Sequence, residues 1–307
     1  ISLFPQDGED ARTLLRNADV AMYRAKTHGK NHVRFFTPQT GLGAMERLTV
    51  ETQLRRALEN NEMELSYQPI LRMDGSLYGF EVLLAWNNPK LGRISPGRFI
   101  PIAEESGMIV SIGSWVLRRA CLQSAQWRGN GYPPVRIAVN VSAFQFVRAG
   151  FVDKVAEALA AAGLSPLALE LELTEGLLMG DIEESSHRMS RLRALGVGIV
   201  IDDFGTGYSS LSYLSSLPAD SLKIDRSFVQ QIAEPGGSLP LIQTIVSLAH
   251  NMGLSVVAEG VEKPRQLELL RTAGCDRVQG HLFGGSVNAA AAAELLRNTR
   301  KTECGAK

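Results

Sequence analysis

Asp202 and Asp203 stand side by side at the end of the run Gly198-Ile199-Val200-Ile201. A β-branched run of this kind suits a strand buried in a parallel sheet, whereas adjacent acids do not. Buried carboxylates without counter-charge are costly, so cations are expected between them, most economically a pair of divalent metal ions. The same device recurs along the chain: an acid, amide or lysine sits where an apolar strand should stop. Glu81 lies in YGFEVLL, Asn140 in RIAVNVS, Glu172 in LALELELTE, Lys223 in DSLKIDRS, Glu259 in SVVAEGVE and Gln279 in DRVQGHLF. Taken singly, each has an ordinary explanation: Asn140 could cap a loop, Glu172 could pair with an arginine, and Lys223 could be solvated. Taken together, five carboxylates with an asparagine and a lysine form an oxygen-rich set that suits Mg²⁺ or Mn²⁺ rather than zinc. Two such ions about 3.5–4 Å apart can share a bridging carboxylate and activate a water. Asp202 is the natural bridge, with Asp203 reaching only the second ion. Clusters of this sort mostly hydrolyse phosphoesters.

The elements that must bring these residues together read as follows. ELSYQPIL and SLYGFEVLLAW flank Met73-Asp74-Gly75-Ser76, the signature of a β-hairpin. Helical and strand periodicities then alternate. Helices are expected near Ser114–Trp127, Asp153–Ala162, Ser186–Leu195, Ser210–Leu214, Leu239–Met252 and Pro264–Ala273, each feeding one of the strands named above. That rhythm over about 230 residues fits a TIM-like (β/α)8 barrel, and the hairpin makes its first strand antiparallel. A doubly wound open sheet is the alternative fold. In such a barrel the C-terminal strand ends converge on one rim, which collects the polar residues.

Ahead of the barrel, residues 9–27 carry helical spacing at Ala11, Leu14, Leu15, Ala18, Met22 and Ala25, and NHVRFF could form a short strand. Too short for its own core, this piece is expected to be the tail of another domain. A second amphipathic helix is expected from about Met45 to Asn60. The expected division is 1–40 as that tail and linker, 41–61 as a connector helix, 62–298 as the barrel and 299–307 as a disordered tail.

Lys+Arg and Asp+Glu both number 32 in the 307-residue chain, so no basic excess supports a DNA or RNA polymer as partner. Cys121, Cys275 and Cys304 are odd in number and form no metal-binding motif, which fits a reducing, cytoplasmic setting. No apolar run reaches membrane-spanning length, and the chain opens on Ile1, so a fragment without membrane contact is expected, whose longer parent could carry an anchor. Gly205-Thr206-Gly207 lacks a third glycine at dinucleotide-fold spacing, and Ser209-Ser210 lacks a nucleophile elbow.

EVL at 81–83, VNVS at 139–142, ELTE at 172–175, DDFGTGYSSL at 202–211, LKIDRSFV at 222–229, AEGVE at 258–262 and QG at 279–280 resemble the EAL-domain family of cyclic di-GMP phosphodiesterases and their inactive relatives. The leading DVAMYRAKTHGKNHVRFF resembles the C-terminal end of a GGDEF (diguanylate cyclase) domain, without its signature loop. The resemblance implies cleavage of cyclic di-GMP to linear pGpG with two Mg²⁺ or Mn²⁺ ions. By motif position, Glu81, Asn140, Glu172 and Asp202 would hold one ion, and Asp202, Asp203 and Glu259 the second. Lys223 would orient the nucleophilic water, and Glu262 and Gln279 would anchor waters and metal from outside. Glu175 would hold the Gly205-Thr206-Gly207 loop, which implies a homodimer through the segment near Asp203–Tyr208. Gln68 would approach a guanine, with Leu83, Glu81, Asp203 and Gln279 also on the substrate side.

Two departures from the family pattern matter. The opening motif normally ends in an arginine, and here that position is Ala85, which provides no charge-assisted bidentate contact to a phosphate. LFGGSV at 282–287 replaces a loop that usually carries another cation. The expectation is therefore intact metal chemistry with a weakened substrate grip. The alternatives are a receptor that binds cyclic di-GMP without cutting it, and an interaction scaffold.

Overall fold

A computed structural model describes residues 1–27, 33, 35, 36, 38–205 and 216–304. The strand expected at NHVRFF falls largely outside the described residues, and the helix expected at Ser210–Leu214 and the loop from Thr206 to Tyr208 fall wholly outside them. The chain divides into two compact units, one of Ile1–Glu62 with Trp86–Ser106 and one of Met63–Ala85 with Gly107–Lys307. The sequence did not suggest that residues 86–106 group with the first unit.

The first unit contains helices Ala11–Thr27, Pro38–Leu54 and Pro96–Glu105. Asp10 caps the first of these, its Oδ1 accepting the Thr13 N–H at 2.9 Å. Segment 86–106 joins this unit for a local reason. The Trp86 indole N–H and the Asn88 amide each donate to Glu62 Oε2 at 2.9 Å, and Trp86 packs edge-on against Phe99 with ring centroids 5.6 Å apart.

The second unit is a closed barrel. Its strands are β1 (Met63–Arg72), β2 (Leu77–Asn88), β4 (Arg136–Val141), β5 (Leu169–Thr174), β6 (Gly198–Phe204), β7 (Ser221–Ile224), β8 (Ser255–Ala258) and β9 (Arg277–Gln279); the end of β2 from Trp86 runs on into the first unit, where it pairs with the short strand β3 (Gly92–Ile94). The order β1-β9-β8-β7-β6-β5-β4-β2 closes through a β1–β2 pairing. Neighbours from β2 round to β9 run parallel, and β1 pairs antiparallel to β9. The barrel with an antiparallel first strand is thus the observed fold. The intervening helices Ile109–Gly129, Phe151–Ala162, Ile182–Ala194, Leu239–Asn251 and Pro264–Ala273 lie close to their expected spans. The last helix, Ala289–Cys304, continues past residue 298, so the tail expected from 299 begins as helix, and 305–307 lie outside the described residues.

Two apolar layers hold the barrel. Outside it, Trp127 packs on Tyr67 and Phe80 with centroids 4.9 and 5.5 Å away. Inside it, Ile70, Ala138 and Val257 form a buried cluster against which Tyr78 packs. Gly79 permits the β2–β4 approach, because a Cβ there would stand 2.4 Å from the Arg136 carbonyl oxygen. Backbone cannot yield cheaply, so Gly79→Ala is expected to cost about 1–3 kcal/mol, read as a lower urea midpoint at unchanged slope.

Candidate active site

Side chains of one strand alternate between faces, so residues two apart share the barrel interior. On β5 the interior run is Glu170, Glu172, and on β9 it is Arg277, Gln279. Register places Asn140 beside Glu172, and Thr174 beside Asp202. The expected residues therefore meet at the C-terminal rim around Lys223, which is only 1% exposed. Lys223 Nζ stands 2.9 Å from Glu172 Oε2, 3.4 Å from Glu81 Oε2 and 3.6 Å from Asp202 Oδ1, and it also pairs with Glu259. Asn140 Nδ2 donates to Glu81 Oε1 at 2.7 Å, and Gln279 Nε2 donates to Glu81 Oε2 at 2.5 Å. Gln279 thus touches Glu81 directly. Its placement depends on Gly280, where a Cβ would meet the Val261 backbone at 2.2 Å, and on the Val261 N–H donated to the Gln279 carbonyl at 3.0 Å.

Asp202 and Asp203 would face opposite ways on a regular strand. Here the β6–β7 register shifts between Ile201 and Phe204, and Asp203 adopts a left-handed φ of 55°. Such a bulge re-aims a side chain, and the left-handed conformation costs about 1–2 kcal/mol outside glycine. Asp202 Oδ1 accepts the Asp203 N–H at 2.9 Å, which supports the turn. Burial and the neighbouring charges of Asp202 and Asp225 raise the Asp203 pKa.

Burial alone would lower the Lys223 pKa, but the carboxylates of Glu172, Glu81, Glu259 and Asp202 outweigh it and hold the ammonium protonated well above the usual lysine range. One cation cannot satisfy four carboxylates. Burial, reinforced by the Glu81 charge, pushes Glu172 well above the ordinary carboxylate range. Burial also lifts Glu259 to about 7 against the pull of Lys223, helped by the charges of Asp202 and Glu81. Among the described residues no three His, Cys, Asp or Glu side chains form a ready metal-holding group, because these carboxylates are arrayed about the lysine. The donor set nevertheless fits divalent cations: it is all oxygen apart from the lysine, it has surplus negative charge, and the Gln279 Oε1 atom is buried with no hydrogen-bond partner.

The remaining expected residues divide. Glu175 is buried just beyond β5, and its Oε2 accepts the Gly205 N–H at 3.2 Å. Gln68 is half-buried midway along β1, two residues before Ile70, which pairs with Gln279; the start of this antiparallel strand is its rim end. The Leu83 carbonyl accepts the Ser66 hydroxyl at 3.3 Å, and Ala85 shares the β2 face of Glu81 and Leu83. Glu262 is not drawn into the cluster: its side chain is exposed, and its backbone N–H donates to Gln266 Oε1 at 2.8 Å. The Gly284–Val287 loop is tied to β1 by paired backbone bonds of 2.8 and 2.9 Å between Tyr67 and Val287, next to Gln68. That tether was not legible in the sequence, since a single bridge between distant residues leaves no periodic signal.

Comparison with known proteins places the chain in a family. The family model described as EAL domain matches residues 51–286. The chain belongs to the EAL domain family. Cyclic di-GMP phosphodiesterase NbdA of Pseudomonas aeruginosa is 45% identical to it over 301 residues, covering 98% of this chain and 38% of that protein. The bifunctional diguanylate cyclase/cyclic di-GMP phosphodiesterase MucR of the same organism is 46% identical over 285 residues, covering 92% of this chain and 42% of that protein. The chain thus spans about two fifths of the length of these relatives. The solved structure of PaMucR phosphodiesterase in complex with c-di-GMP superposes on this EAL domain with a TM-score of 0.77 at 45% identity, covering 80% of this chain and 99% of that one. The FimX EAL domain of Pseudomonas aeruginosa bound to c-di-GMP gives a TM-score of 0.71 at 26% identity, covering 77% of this chain and 96% of that one.

Proposed function

We propose that this EAL domain hydrolyses cyclic di-GMP to linear pGpG with two divalent cations, Mg²⁺ or Mn²⁺. The observation that carries this reading is the convergence of Glu81, Glu172, Asp202 and Glu259 on one buried ammonium, in a chain 45% identical to a cyclic di-GMP phosphodiesterase. Glu81, Asn140, Glu172 and Asp202 would hold one ion, and Asp202, Asp203 and Glu259 the other. When bound, such ions neutralise phosphate charge and lower the pKa of a water.

The chain's own residues do the rest. Lys223, held as an ammonium, donates a hydrogen bond to the attacking water and orients its lone pair toward phosphorus. Water adds to phosphorus and loses a proton to solvent, the bond from phosphorus to the 3′ oxygen breaks, and that oxygen takes up a proton from solvent and leaves as a hydroxyl. Asn140 and Gln279 fix the two oxygens of Glu81. Glu175 holds the Gly205 backbone and thereby the turn that carries Asp203. Gln68 and Leu83 face a guanosine from the opposite strands, and Glu262 orders solvent at the edge of the rim.

The leading residues fit the end of a GGDEF domain, supported by the alignment with the bifunctional MucR over 92% of this chain. A homodimer through the Asp203–Tyr208 segment, and a cytoplasmic setting, belong to the same reading; among the described residues no helix is long and apolar enough to cross a membrane. Ala85 favours a second reading, a receptor that binds cyclic di-GMP without turnover. Chelation separates them: EDTA should stop hydrolysis and excess Mn²⁺ should restore it, while Mn²⁺ raises the thermal midpoint of the chelated protein. A midpoint unmoved by either metal would exclude the two-ion site.

A further inference from the structure

A second polar chamber occupies the other end of the barrel, beneath the N-terminal ends of the same strands. Its residues precede rim residues by one strand repeat: Glu170 comes before Glu172, Ser221 before Lys223, and Arg277 before Gln279. Tyr78 closes it from above, packed on the layer of Ile70, Ala138 and Val257. The Tyr78 hydroxyl donates to Glu170 Oε1 at 2.5 Å, Arg136 Nη1 donates to the same oxygen at 3.1 Å, and Arg277 Nη1 stands 3.8 Å from it. Arg277 Nη2 donates to Ser221 Oγ at 2.6 Å and also to Ser255 Oγ.

Charge at this end does not balance. The guanidinium carbons of Arg72, Arg136 and Arg277 lie 5.2, 5.8 and 4.2 Å from the Tyr78 ring centroid; Arg136 and Arg277 share the Glu170 carboxylate, while Arg72 feels the charge of Asp74. Arg72 spends its hydrogen bonds on neutral oxygens, those of Ser76 and Leu77 at 3.2 Å. Arg128 lines the same chamber with no side-chain partner among the described residues. Glu170, Ser221, Ser255 and Arg277 line a cavity of about 340 Å³, which adjoins a larger lobe of about 630 Å³, lined by Arg72 and Arg128, across Tyr78, Arg136 and Leu167. The smaller lobe adds Arg193 and Asp220, which neutralise one another at 3.0 Å. Around the larger lobe Tyr132, Pro133, Pro134 and the exposed Leu167 form an apolar wall facing the arginines.

A small-ligand cavity typically measures about 300–1,000 Å³ and combines apolar walls with a few convergent polar groups. Guanidinium forks match phosphate oxygens, and crowded guanidiniums are stabilised by an anion between them. We propose that this chamber binds a small phosphate ester, its phosphate on Arg72, Arg128 and Arg136 and its organic part on the Tyr132–Leu167 wall. The site lies at the opposite end of the barrel from the catalytic rim and does not depend on the phosphodiesterase reading.

The test is calorimetric titration of the whole chain with two probes, adenosine 5′-monophosphate and inorganic phosphate. The nucleotide should bind saturably and more tightly than phosphate. Arg72→Gln and Arg128→Gln, both at exposed side chains that leave the Glu170 network intact, should each weaken it roughly tenfold. Gln68→Ala, at the rim, should leave it unchanged. Absence of saturable binding in the millimolar range would overturn the proposal. So would binding lost in Gln68→Ala but kept in both arginine variants, which would place the anion at the rim. Equal affinity for the two probes would overturn the ester and leave a bare oxyanion site.

Discussion

Lys223→Ala is expected to lower turnover of cyclic di-GMP by about 100- to 1,000-fold, the range for losing one positioned hydrogen-bond donor. It should also do something a purely catalytic residue would not. Lys223 is the buried counter-charge for Glu81, Glu172, Asp202 and Glu259. Removing one partner from a buried ionic cluster costs about 3–5 kcal/mol, because the other charges lose their compensation. The chelated variant should therefore melt well below the chelated parent, and Mn²⁺ should raise its midpoint by more than it raises the parent's. A scanning calorimetry series with and without metal measures this. Equal metal shifts in the two proteins would mean that the carboxylates around Lys223 are not the ion-holding set.

Ala85→Arg is expected to tighten cyclic di-GMP binding by about tenfold to a hundredfold, equivalent to one charge-assisted contact of roughly 1.5–3 kcal/mol. Ala85 lies on the β2 face of Glu81 and Leu83, four residues beyond Glu81. A long side chain there can reach over the rim toward a phosphate, and a guanidinium makes the paired hydrogen bonds that alanine lacks. The gain should appear in KM, with kcat nearly unchanged, since the contact holds the substrate and the transition state alike. Position 85 is only 7% exposed, so the variant's thermal midpoint must be measured alongside. An unaltered KM at an unaltered midpoint would remove Ala85 as the reason for a weak grip.

The barrel was readable from sequence because its strands are apolar runs punctuated by polar ends, and each helix has the periodicity of a one-sided face. The rim residues were readable for the same reason: strand-end acids such as Glu172 and Asp202 stand out against their neighbours. What bends the chain locally was harder to read. Nothing in the one-dimensional pattern shows that Asp203 takes a left-handed conformation, or that Lys223 is enclosed by four carboxylates rather than solvated. Residues 86–106 were missed because Trp86 looks like a core residue of its own strand, whereas its partners are Glu62 and Phe99. Glu262 shows the limit of a motif position: residue type alone does not tell that its side chain stands exposed outside the cluster.

The proposed reaction requires that this rim cut its ligand rather than only hold it. The direct measurement is incubation of the whole chain with cyclic di-GMP and either Mg²⁺ or Mn²⁺, with nucleotides separated by chromatography. Linear pGpG is expected with either ion and not in the presence of chelator. Saturable binding of cyclic di-GMP with no pGpG under either metal would contradict it and assign the domain to reception.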